Sequence, residues 1–212
     1  MKFETKYLIR WGIPGWVFIF WLFYAFIFLK DINILDVKSL ELSKGLALLI
    51  SLAALGVPVG YIFHQIYFGI IWVANVTNKS RNYDEIANKI GSNFPKHAEW
   101  GNDTNEDYYQ FEYVWHMVLL NQNEETRKYL EGRYSHLLST IHSLGSLFIS
   151  SAFSFLTSIV LIWNLQNDLT SWIYVIIGLT TQFIVFTSAM FNYIYFSNNL
   201  NAFQIKIMKT YL

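Results

Sequence analysis

Four stretches of the chain contain no Asp, Glu, Lys or Arg: Trp11–Leu29, Gly45–Val76, His142–Trp163 and Trp172–Phe196. A helix needs about 20 residues to cross roughly 30 Å of hydrocarbon, and surface helices in water keep a polar face along such a length. Lipid offers no partner to backbone N–H and C=O groups, so runs of this kind must satisfy them internally as helices. Charged residues are 14% of the chain, against about 25% in soluble domains. The expected fold class is therefore all-α: a four-helix transmembrane bundle with a small cytoplasmic helical cap. It is read as one membrane domain over 1–212, with spans at about 11–29, 45–76, 142–163 and 172–196 and an insertion at about 77–141.

The first run, rich in aromatics, leads into Lys30-Asp31 without a small-x-small cleavage site, so it reads as a retained helix. Orientation follows from the basic residues. Lys2, Lys6 and Arg10, seven in the segment between the second and third runs, and Lys206 and Lys209 oppose Lys30, Lys38 and Lys44. This predicts cytoplasmic termini in a multi-pass protein of the cell inner membrane. The second run would measure about 48 Å as helix, too long for one straight crossing. Gly56, Pro58 and Gly60 lie within it; Pro58 removes a backbone hydrogen bond, and the trio reads as a hinge.

The third run carries the most specific pattern. Ser139, Ser143, Ser146, Ser150, Ser154 and Thr157 follow each other at steps of three and four, on one helix face about 80° wide. Leu161 continues it outward, while Glu125, Lys128 and His136 continue it toward the cytoplasm as a vestibule. Asn121, with Glu124 three residues on, reads as the cap of one helix of about 40 residues. Two arrangements account for the stripe. In a homo-oligomer, a tetramer being favoured, these hydroxyls line an aqueous pore with Leu161 as its constriction. In a packed protomer, small residues let helices approach closely and hydroxyls bond across the seam.

Catalytic groups are scarce. His64, His97, His116, His136 and His142 join no HExxH, paired-histidine or carboxylate-dyad pattern, and the spans hold no acid, so no enzyme is expected. No cysteine is present, no metal site is indicated, and the glycines fit no phosphate-binding pattern, so no cofactor is expected. The middle segment is expected to form helices at 84–90 and 106–120, the latter burying Phe111, Val114, Met117 and Val118. Trp100, Tyr108, Tyr109, Tyr113 and Trp115 offer surfaces for stacking nucleic-acid bases, but seven basic residues face ten acidic ones there, weak support for a phosphate partner.

The opening Arg10-Trp11-Gly12-Ile13-Pro14-Gly15-Trp16 is distinctive but is tied to no named family; the layout of a few spans around a small cytoplasmic segment resembles small prokaryotic multi-span membrane effectors of antiviral defence systems. The resemblance rests on architecture and transfers no functional residue. It implies permeabilisation of the inner membrane, gated by a cytoplasmic ligand or partner protein. The leading expectation is thus an oligomeric pore or ion channel. The alternative is a non-conducting anchor or sensor subunit that docks a soluble partner through Trp100–Trp115.

Overall fold

The computed structural model describes residues 5–28, 42–74, 82–165 and 172–212. The basic residues Lys2, Lys30, Lys38, Lys79 and Arg81 and the loop 166–171 lie outside them. The described residues form helices and short connections: α1 (Thr5–Phe28), α2 (Leu42–Tyr67) passing into a π-helical stretch Phe68–Val73, α3 (Tyr83–Ile90), α4 (Thr104–Leu120), α5 (Glu124–Leu165) and α6 (Trp172–Tyr211). Among the described residues, three stretches are long and apolar enough to cross a membrane: Ile50–Val73, Glu124–Asn164 and Trp172–Tyr211. The chain divides into two compact units, residues 1–69 with 142–192, and residues 70–141 with 193–212.

The first unit is built on close backbone approach. Gly56 and Gly60 lie four apart on α2, a small-xxx-small pair. A Cβ at Gly60 would overlap the carbonyl oxygen of Trp11, and one at Gly15 would overlap that of Gly56, so α1 and α2 cross where neither has a side chain. Trp16 Nε1 donates to the Ala53 carbonyl at 2.9 Å. Pro58 lies one turn further along the same helix, where its ring removes an amide donor from the ladder. Around this crossing Phe18 meets Phe63 edge-on at 5.0 Å and Trp11 meets Tyr61 at 5.2 Å. Tyr24 Oη donates to the Tyr174 carbonyl at 2.7 Å, tying α1 to α6.

The second unit packs around rings. Trp115, Phe111, Tyr83, Ile86, Ile90, Phe94, Leu119, Leu130 and Met208 form its core. Its helices start on side-chain caps: Asn82 Oδ1 accepts from Glu85 N at 3.1 Å, Asp103 Oδ1 from Asn105 N at 2.7 Å, and Asn123 Oδ1 from Thr126 N at 2.8 Å. Asp107, buried on α4, accepts from the Gly101 amide at 3.1 Å and pairs with His97 Nε2 at 3.0 Å, fastening the loop after α3 to α4. Lys96 Nζ donates to Asp84 Oδ1 at 2.9 Å, and this contact first, then its charge and the Trp100 indole, hold the exposed Asp84 carboxyl below its ordinary value.

Three local expectations are corrected. Asn123, rather than Asn121, caps α5; Asn121 ends α4, its amide turned back to the Met117 carbonyl at 3.2 Å. Phe111, Val114 and Val118 are buried on α4 as expected, but Met117 is exposed, and Trp115 and Leu119 widen the buried face instead. The helix begun at Trp172 continues beyond Phe196 to Tyr211, because Leu200, Gln204 and Met208, one turn apart, keep a buried stripe after the apolar run ends.

Candidate functional site

From Ser143 to Thr157 the hydroxyl stripe of α5 lies in the first unit. Ser146, Ser150 and Ser154 are 0%, 0% and 2% exposed. Ser150 Oγ donates to the Pro14 carbonyl of α1, while Ser154 Oγ donates back to the Ser150 carbonyl at 2.8 Å. Ser143 and Thr157, toward the two ends, are half-buried; so is Leu161, which packs with Ala25 and Val175. Beside the stripe, Ser158 Oγ accepts from Gln182 Nε2 of α6 at 2.8 Å, and both residues are buried. The opposite side of α5 meets α6 through rings, Phe148 stacking on Phe186 at 4.9 Å and Phe155 tilted on Phe183 at 6.4 Å.

The stripe's second feature is a pair of imidazoles. Ser146 Oγ donates to the His142 carbonyl at 2.8 Å. His64 Nδ1 lies 2.9 Å from the same oxygen, within hydrogen-bond reach. Tyr67 Oη lies 3.4 Å from His142 Nδ1, and the His64 and His142 rings meet edge to face at 6.0 Å. Tyr67 is wholly buried because Gly145 makes room for it: a Cβ there would overlap the phenol ring. The arrangement offers hydroxyl, phenol and imidazole groups in a segment otherwise apolar, and among the described residues no three His, Asp or Glu side chains converge as metal ligands.

The remaining expected site residues fall in different settings. Gly56 and Gly60 sit in the α1–α2 crossing, with Pro58 between them on a helix that continues on both sides. Ser139 lies with Glu125, Lys128 and His136 on the part of α5 belonging to the second unit; the three vestibule residues are exposed and Ser139 is half-buried. Sequence reasoning missed Pro14 as an acceptor and Tyr67; Gln182, a lone amide at mid-run expected to face the bundle interior and to need a partner, is buried and finds one in Ser158. Compared with protein-family models, curated proteins and solved structures, the chain matches none.

Proposed function

We propose that the chain is a non-enzymatic subunit of the inner membrane. Its first unit is a four-helix anchor with α1 as the fourth span, and its second unit, cytoplasmic with both termini, docks a soluble protein. One observation carries this reading: the three central serines of the α5 hydroxyl stripe are buried and hydrogen-bonded within one protomer. A pore would need those groups in water. On α6, Ile173, Ile176, Ile177, Phe183, Ile184 and Phe191 are exposed, an apolar surface suited to lipid. On α4, Tyr109, Tyr113 and Leu120 are exposed along one helix side, and aromatic residues of this kind anchor protein interfaces.

The second reading is an oligomeric channel, a tetramer gated from the cytoplasm by a ligand, as in membrane effectors of antiviral defence. It is favoured by His64 and His142, since ionisable groups inside spanning helices often mark ion or proton paths. Reconstitution in planar bilayers separates the two. The anchor reading expects no unitary current, and expects Ser150→Asp to misassemble because a charge at a packed site costs about 2.5–3.5 kcal/mol on insertion scales. Unitary current with a cation preference increased by an assembled Ser150→Asp variant would replace the anchor with the channel.

A further inference from the structure

The second unit holds a partly open cavity of about 40 Å³ that neither reading uses. Trp72, Tyr83, Tyr108 and Tyr193 contribute rings to its wall, Glu112 a carboxylate and Gln204 an amide. Tyr83 and Tyr108 lie 5.6 Å apart between ring centroids, and Trp72 meets Tyr108 edge-on at 6.4 Å. One water needs roughly 10–15 Å³ on the same measure, so the space holds a group of about three or four heavy atoms.

The chemistry of the wall selects among such groups. Aromatic faces carry negative quadrupole charge, and several of them around one space attract an alkylated ammonium more strongly than a neutral body of equal size. Glu112 adds formal negative charge. Its two oxygens accept from Tyr134 Oη at 3.1 and 3.2 Å, which fixes the carboxylate beside the rings. Gln204 is 3% exposed and its Nε2 has no hydrogen-bond partner. A buried amide N–H left unpaired is destabilising, and an ordered water at the cavity would accept from it, whereas an ammonium offers no acceptor. Burial is also the chief influence on Glu112, raising its carboxyl pKa against the opposing effects of Tyr134 and then His116; a cation alongside would relieve that cost.

We propose that this cage of rings and one carboxylate is a binding site for a small alkylammonium group. Five segments build it: the π-helical stretch, α3, α4, α5 and α6. The site goes beyond the anchor reading and does not depend on it, since a sensor subunit and a gated channel would both use a ligand here.

Calorimetric titration of the full chain in detergent tests it, with trimethylammonium as probe and tert-butanol as a neutral body of similar size. Trimethylammonium is expected to bind at least about tenfold more tightly than tert-butanol. Glu112→Gln and Tyr108→Leu are each expected to weaken it by about tenfold, with thermal unfolding recorded on each variant. If Tyr108→Leu fails to fold, the comparison of the two probes on the unaltered chain still decides. Equal binding of both probes, absence of trimethylammonium binding, or unchanged affinity in a folded Glu112→Gln protein would overturn the site and leave a water-filled cavity. None of these results bears on whether the protein conducts.

Discussion

The two units are held together by opposite choices of side chain. In the first, Gly15, Gly56, Gly60, Gly145 and three serines occupy the contacts, and the large residues Phe153, Leu156, Phe183 and Ile184 are exposed. In the second, Trp115, Phe111 and Met208 are fully or almost fully buried, and charged residues such as Glu125 and Lys128 are exposed. The difference follows from the solvent each pattern suits. Lipid tails are as apolar as Leu, so helices in a bilayer gain by bringing backbones close and bonding hydroxyls across the seam. In water the gain comes from removing apolar area, and the largest rings contribute most.

The contrast can be broken residue by residue. Gly60→Ala should have the largest effect, because its Cβ overlaps the Trp11 carbonyl and only a backbone shift relieves it. The cost should exceed the roughly 1–3 kcal/mol typical of overpacking. Hydrogen exchange should then find amides of α2 beyond residue 50 unprotected while α4 keeps its protection. Trp115→Ala should do the reverse, removing about 3–5 kcal/mol from the second unit by cavity formation; loss of protection in α1 to the same degree would show that the units are not separately held.

Ser150→Ala should cost less, about 0.6 kcal/mol and at most about 1.7, the range for interhelical hydrogen bonds in a bilayer. Detergent or urea titration of folded protein would read it, and a cost above that range would mean the Pro14 contact does more than close a seam. Glu112→Gln should give the smallest change, and of opposite sign. A carboxyl raised by burial stabilises the fold below its ordinary pKa of about 4.5 and loses that contribution as pH rises through the raised value. At neutral pH the neutral amide should therefore raise the unfolding temperature, with the gain vanishing below pH 4.5. A lower unfolding temperature at neutral pH would contradict the burial argument.

The positions of the helices were legible because charge-free runs and period-3.6 spacing are local properties. The stripe was legible too, down to each hydroxyl, but its surroundings were not. A row of serines reads alike whether water or another helix lies against it, and the partner is a backbone carbonyl at Pro14, 136 residues away. Gly56 and Gly60 carry the same ambiguity: two glycines around a proline suggest bending, and only the chain crossing at Trp11 reveals them as a contact. Asn121 and Asn123 are equally good caps by composition, and geometry alone chooses between them. The aromatic cage had no signal at all, since Trp72, Tyr83, Tyr108 and Tyr193 come from four segments, each unremarkable in sequence.

The account stands on the stripe being dry, and cysteine accessibility measures that directly because the chain has no cysteine of its own. Ser146→Cys, Ser150→Cys and Ser154→Cys, reconstituted singly in vesicles, would be treated with a charged, membrane-impermeant thiol reagent on both faces. His136→Cys serves as the exposed reference. The buried seam predicts prompt modification at position 136 and none at 146, 150 or 154 while the protein stays folded. Modification of the three serine positions as fast as His136→Cys would put water along the stripe and contradict the account.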